Sequence, residues 1–277
     1  MKASATSDPH LFLTLFVSDI HLGRSDPATE RANEAALIRC LEAHEHEVER
    51  LYLVGDVFDQ YIEYRYLVPK GFVRFQALLT RWTDNGIPVT YLKGNHDPWH
   101  RTYFEEEMGV RIATGPIIDS VYGLDVYLFH GDGLDRKEKL YKMLKGSLRH
   151  PLPVWLYTTM LPGDTGYTLA EWVRLLKRRY GNNDVKPSTV EALRAHAHSV
   201  LHNTTAGIVV MGHSHYPELL SFPEGYYLNT GPWHKSRTIG SLNKNALKLL
   251  RWNGSCTEEI ISYPVAARAA AFREVER

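Results

Sequence analysis

Arg50-Leu51-Tyr52-Leu53-Val54-Gly55-Asp56-Val57-Phe58-Asp59 is the stretch that decides the fold. Its first half is an apolar, strand-like run. Gly55 then lets the chain turn sharply into an acid. A strand that stops at Gly-Asp delivers a carboxylate to the carboxyl end of a sheet, where open α/β sheets gather their ligands. The pattern recurs along the chain. Phe12–Val17 runs into Asp19-Ile20-His21, and Pro88–Leu92 into Gly94-Asn95-His96-Asp97. Gly123–Phe129 runs into His130-Gly131-Asp132, and Gly207–Met211 into Gly212-His213-Ser214-His215. Helices fall between the first strands. Asp26 can cap one, Pro27 suits its first turn, and Ala36, Leu37, Cys40, Leu41 and Val48 trace one apolar face. A second is expected from about Phe72 to Asp84, stopped by Asn85-Gly86. Further strands are expected at Tyr226–Asn229, Ala246–Trp252 and Glu258–Tyr263. Strands alternating with helices predict an α/β layer structure.

Composition narrows the class. The 277 residues can bury a substantial core, and 44% hydrophobic with 23% charged content is ordinary for a globular protein. The formal net charge is zero, so no nucleic-acid partner is expected. Cys40 and Cys256 lie far apart without metal spacing, which predicts no disulfide framework and fits a reducing compartment. The apolar run after Lys2 leads into Ser18-Asp19 rather than a small-residue cleavage site, so it reads as a first strand. No stretch approaches the roughly 18–20 apolar residues of a membrane span. Cytoplasmic placement is the expectation; the sequence fixes no oligomeric state.

Residues 133–203 interrupt the rhythm. They read as helices Leu134–Leu148, Leu152–Leu161, Gly166–Arg179 and Ser188–Leu201, the last opened by the capping-box pattern Ser188-Thr189-Val190-Glu191. This is expected to be a helical cap inserted into one domain over 10–265, with 266–277 a frayed tail. Its apolar run Leu152–Tyr157 is flanked by Arg136, Lys137, Lys139 and, later, Arg174 and Lys177. Apolar residues beside basic ones suit an acyl chain with an anionic head group, or docking on an anionic membrane surface. His196, His198 and His202 read as solvated helix residues.

The clusters carry the chemistry of a two-cation site. Carboxylates bridge cations well, and histidine nitrogen or amide oxygen completes each shell. In Asp-x-His on an extended segment, alternate side chains point the same way, so Asp19 and His21 can share one cation. Asp56 is the expected bridge, Asn95 an oxygen donor, and His130, His213 and His215 nitrogen donors. Any one cluster alone is an ordinary turn. Five in this order are hard to explain so.

The five clusters resemble the calcineurin-like metallophosphoesterase superfamily from Phe12 to Trp233, the helical insertion excepted. The resemblance implies a four-layer αββα sandwich with a helical cap. It implies a first metal on Asp19, His21, Asp56 and His215, and a second on Asp56, Asn95, His130 and His213. It also implies in-line attack on phosphorus by a metal-bridging hydroxide, with His96 neutralising charge or protonating the leaving oxygen. Asp97 is expected to orient His96, and Asp59 to support the turn below the metals. Within the superfamily, His130-Gly131-Asp132-Gly133-Leu134 followed by Tyr141 and Trp155, with the ending Leu228–Trp233, is similar to the UDP-2,3-diacylglucosamine pyrophosphatases of lipid A biosynthesis. That likeness implies a lipid-linked nucleotide substrate, manganese, an acyl chamber contacted by Tyr141 and Trp155, and peripheral docking on the inner membrane. Two departures stand out. The best-known members carry arginine where His96 stands, and Asp135-Arg136-Lys137-Glu138 replaces their Cys-Thr-Asp-Asp run. A soluble nucleotide, cyclic nucleotide or phosphoprotein is the alternative substrate.

Overall fold

The computed structural model describes residues 12–135, 150–180 and 185–265. One sheet begins with β1 (Leu13–Val17), which pairs in parallel with β2 (Val48–Val54) and then β3 (Val89–Leu92) and β4 (Arg111–Ala113). On the other side of β1, antiparallel strands β10 (Thr238–Leu242), β11 (Ala246–Trp252) and β12 (Thr257–Pro264) complete seven. The second sheet has the order β5-β6-β7-β9-β8: Ile117–Val121, Leu124–Leu128, Ile208–Met211, Tyr226–Asn229 and Glu218–Ser221. Within it β6, β7 and β9 run parallel.

The core explains the layering. Phe16, Tyr52, Val54 and Leu92 of the first sheet pack with Val126, Leu128, Val210 and Leu228 of the second. The opposite face of the first sheet, including Leu15, Val17, Leu51 and Leu53, packs with α1 (Pro27–Glu42), α2 (Val73–Asp84) and α3 (Tyr103–Met108). On the outer face of the second, Val209, Met211 and Tyr227 meet Leu193, Ala197, Val200 and Leu201 of α6 (Pro187–Asn203). Alternate residues of the parallel strands thus face opposite apolar layers, as burial on both faces requires. The result is an αββα sandwich.

Helix starts follow their caps. Asp26 accepts from the amides of Ala28 (3.0 Å) and Thr29 (3.1 Å), as its position predicts. α2 begins one residue later than expected: Phe72 has a left-handed backbone, and buried Glu34 of α1 accepts from the Phe75 amide at 3.1 Å. The capping box at Ser188 does not form. Pro187 takes the first helical turn, and the hydroxyls of Ser188 and Thr189 donate to Asp135 instead, at 2.7 and 3.3 Å. His196 is not solvated either; it is half-buried and 3.2 Å from the Tyr127 hydroxyl.

Of the helices expected in the insertion, α6 is the outer layer just described. α4 (Pro151–Met160) and α5 (Gly163–Tyr180) leave the sandwich. They expose Trp155, Leu156, Met160 and Trp172. The expected helix Leu134–Leu148, Tyr141 and the tail lie outside the described residues. Among the described residues no helix is long and apolar enough to cross a membrane.

Candidate metal centre

All five loops leave the carboxyl ends of parallel strands: β1, β2 and β3 of one sheet, β6 and β7 of the other. Backbone bonds tie neighbouring loops of each sheet together. The Asp19 amide donates to Gly55 O (3.1 Å), the His21 amide to Asp56 O (3.0 Å) and the Gly212 amide to His130 O (3.0 Å). Asp19 accepts from the His213 amide at 3.0 Å and from Ser18 Oγ at 2.5 Å. Close approach is permitted by missing side chains. A Cβ on Gly94 would collide with Asp56 Oδ1 and the Asp56 amide, and one on Gly212 would lie 2.5 Å from Asp19 Oδ2.

The candidate ligands fall into sets whose donor atoms lie within 4.8 Å of one another: Asp19, His21 and His215; and Asp56, His130 and His213. His21 Nε2 is 3.1 Å from His215 Nε2 and 3.8 Å from Asp56 Oδ2. His215 Nε2 is 3.2 Å from Asp19 Oδ1. His130 Nε2 is 3.4 Å from Asp56 Oδ2 and 3.1 Å from Asn95 Oδ1, while its Nδ1 donates to Val54 O at 2.9 Å. Asp56 therefore stands between the two sets, with Asn95 in the second.

The way this is achieved differs from the expected alternation along an extended segment. Asp19 (φ 49°), His21 (52°), Asp56 (51°), His213 (65°) and His215 (55°) all take the left-handed backbone. Asp and His tolerate that region better than most residues. In consequence His213 and His215, two residues apart, serve different sets.

The roles expected of Asp59 and Asp97 are exchanged. Asp97 does not reach toward His96. It accepts from the amides of Val57 (2.7 Å), Phe58 (3.2 Å) and Gly94 (2.8 Å) and from the Tyr91 hydroxyl, tying two loops together beneath the site. Burial and the Asp56 charge push its carboxyl up to about 6, against those hydrogen bonds. Asp59 is the group beside the histidines. Its Oδ1 is 3.2 Å from His21 Nδ1 and 3.6 Å from His96 Nδ1, and its carbonyl is 3.0 Å from the latter.

The electrostatics fit a cation. Burial alone would push the Asp19 and Asp56 carboxyls up; His215 and His130 beside Asp19, and His130 and His96 beside Asp56, hold both well below the ordinary range. Burial opposes charge on His130, yet Asp56 outweighs it and raises the imidazole to about 10. Its neighbour His213 falls to about 4, through burial and the His130 charge. The donor set thus favours positive charge between Asp56 and Asn95. Divalent ions meet the same convergent oxygens and nitrogens with more charge to match them.

Two residues at the site escape sequence reasoning. His234 places its Nδ1 3.3 Å from Asp19 O, with its ring edge-on to His21 and His215. Burial first, then the charges of His21 and Arg24, lower it to about 3. Its only signal was adjacency to the Leu228–Trp233 ending. Arg174, one basic residue of many in the cap, reaches Asp59 Oδ2 at 2.7 Å.

A cation-holding rim where two sheets meet inside an αββα sandwich defines the metallophosphoesterase class. The chain belongs to the calcineurin-like phosphoesterase family, whose model matches residues 12–217. Among curated relatives, the UDP-2,3-diacylglucosamine hydrolase of Porphyromonas gingivalis is 36% identical over 60% of this chain and 63% of that protein, just under two thirds of its length. The Pseudomonas paraeruginosa protein of the same name is 30% identical over 73% of this chain and 82% of its own. That of Edwardsiella ictaluri is 28% identical over 76% and 78%. The chain is a metal-dependent hydrolase.

Proposed function

We propose that this protein hydrolyses the pyrophosphate bond of UDP-2,3-diacylglucosamine, releasing UMP and 2,3-diacylglucosamine 1-phosphate for lipid A biosynthesis. The carrying observation is the apolar surface of α4 and α5 beside a phosphoesterase centre: Trp155 is 56% exposed, Met160 70% and Trp172 59%. Large apolar side chains left uncovered together on one helical pair suit a ligand or surface that meets them. Acyl chains and a membrane that presents them answer that need. The names of the relatives at 28–36% identity support the same substrate.

In this reading Asp19, His21, Asp56 and His215 hold one divalent cation and Asp56, Asn95, His130 and His213 the other, manganese in both places. Such cations, when bound, neutralise phosphate oxygens and acidify water at neutral pH. The chain's own residues do the rest. Asp56 keeps the two sites adjacent, and Asp59 sets its negative charge 3.2 Å behind His21 Nδ1. His96, its Nδ1 turned to Asp59 and its side chain 36% exposed, faces the leaving oxygen as proton donor. Trp155, with Tyr141 from outside the described residues, contacts the substrate. The cap forms the chamber, and the protein works on the cytoplasmic side as a peripheral membrane enzyme.

The test is UMP release from UDP-2,3-diacylglucosamine by manganese-loaded protein, with UDP-N-acetylglucosamine as control. Turnover of the acylated compound alone is expected. Hydrolysis of bis(p-nitrophenyl) phosphate without it would discard the lipid substrate in favour of a soluble phosphoester.

A further inference from the structure

Asp59 divides its two carboxylate oxygens between the centre and α5. Oδ1 faces His21 Nδ1 at 3.2 Å and His96 Nδ1 at 3.6 Å; Oδ2 takes Arg174 Nη1 at 2.7 Å. The ion pair is nearly sealed, with Asp59 3% and the arginine side chain 15% exposed. A second bond runs beside it, from Gln60 Nε2 to the Tyr167 carbonyl at 3.3 Å. Packing fixes the start of α5, where Gly166 leaves no room for a Cβ beside the Tyr64 hydroxyl, but it is incomplete nearer Arg174. A cavity of 60 Å³, lined by Leu22, Gln60, Lys70, Tyr167, Glu171 and Arg174 among others, lies between α5 and the loops below it. Where packing is incomplete, polar contacts set how near α5 stands.

We infer that Arg174 is a positioning residue that makes the geometry of the metal centre depend on the placement of α5, acting through Asp59. Asp59 Oδ1, 3.2 Å from His21 Nδ1 though not in line for a hydrogen bond with it, sets a negative charge behind the ring whose Nε2 faces the centre, and such outer partners tune affinity and activity by about 10–100-fold. A carboxylate free on its far side can rotate away from both histidines. Arg174 removes that freedom, because a guanidinium holds one oxygen in a directed, charge-assisted bond. A ligand that draws α5 inward tightens the chain Arg174–Asp59–His21, and one that displaces α5 loosens it. The inference rests on the metal site proposed above but not on the lipid substrate.

The test uses full-length protein, manganese and a small ester that needs no cap contact. Arg174→Ala is expected to weaken Mn2+ binding, measured calorimetrically without substrate, by about 3–10-fold. It should lower kcat on bis(p-nitrophenyl) phosphate by about tenfold with KM within twofold. Arg174→Lys should recover most of both, and Glu171→Ala, which removes the other carboxylate on Arg174, should change neither. Asp59→Asn should lose more, and adding Arg174→Ala to it should cost nothing further, as shared action through one residue requires. Wild-type Mn2+ affinity and kcat in Arg174→Ala would overturn the inference. So would a raised KM alone, which places the arginine on the substrate, or additive losses in the double variant. If the alanine variant unfolds, a glutamine variant with an unchanged melting temperature carries the same comparison, and its wild-type affinity would equally end the inference.

Discussion

Five candidate ligands hold a left-handed backbone, from Asp19 at φ 49° to His213 at 65°. Each such turn costs about 1–3 kcal/mol for a residue other than glycine. Asp19 and Asp56 also add like charge to one buried site, and the Asp56 charge opposes ionisation of Asp19. Bound cations offset both terms. Metal removal by chelation is therefore expected to lower the melting temperature by roughly 5–10 °C, the shift for about 3 kcal/mol in a domain this size. Readdition of Mn2+ should restore it. Asp56→Asn should halve the metal content and cut hydrolysis more than about 100-fold, as loss of a shared ligand demands. Full metal stoichiometry in that variant, read by elemental analysis, would remove Asp56 from the bridge. A second residue acts on stability alone. His100 is buried, stacked on Tyr61 at 4.1 Å and edge-on to Tyr91, and neither ring nitrogen has a hydrogen-bond partner among the described residues. Burial, then the Lys93 charge, keeps its pKa well below the ordinary value. The unfolded chain therefore binds a proton below about pH 6.5 that the fold refuses, and stability falls as pH drops through that value. The slope is about 1.4 kcal/mol per pH unit for one such group. His100→Phe, which keeps the ring stack, should flatten denaturation midpoints between about pH 6.5 and 5. An unchanged slope would exonerate His100.

The elements that carry the site were readable because each loop begins where a buried strand stops. β1, β2, β3, β6 and β7 all show in the sequence as apolar runs, and each is followed at once by its ligands. The strands that escaped reading do other work. β4 has only three residues, β5 alternates along an edge, and β10 is Thr238-Ile239-Gly240-Ser241-Leu242, polar by composition though wholly buried. Its pairing with β1 and β11, not its own pattern, makes it a strand. The capping box at Ser188 misled for the same reason: Asp135, distant in sequence, competes for the hydroxyls. Asp97 and Asp59 exchanged roles because loop sequence does not reveal which amides a carboxylate will meet. The glycines were legible as turns, yet their reason is spatial. Gly94 has no positive φ; it is small because Asp56 crosses against it. Gly94→Ala must push the Asp56 loop away or be expelled. It is expected to destabilise the protein by about 1–3 kcal/mol, as overpacking does, and to lower Mn2+ affinity with it. Destabilisation with normal Mn2+ affinity would mean the loop yields without moving Asp56.

At the scale of the molecule, the sandwich and the α4–α5 pair divide labour. The sandwich supplies buried charges at fixed positions, and its chemistry is indifferent to what lies beyond the phosphorus. The α4–α5 surface is apolar and outward, with Leu152 62% and Trp155 56% exposed, and it contributes nothing to the main cores. The proposed lipid substrate assigns selectivity to that second part, and truncating it should then separate the two functions. Cutting back to alanine an indole that is covered in a complex typically costs about 2 kcal/mol or more, a factor near 30. Trp155→Ala combined with Met160→Ala is therefore expected to lower kcat/KM for UDP-2,3-diacylglucosamine about 30–100-fold. Hydrolysis of bis(p-nitrophenyl) phosphate should fall less than about threefold, because neither side chain belongs to the metal sets. The contrast with Arg174→Ala is informative: that change acts through Asp59 and should depress both substrates together. Equal losses on the two substrates in the Trp155/Met160 variant would make α4 a structural brace for the centre and leave the acyl chamber without its wall.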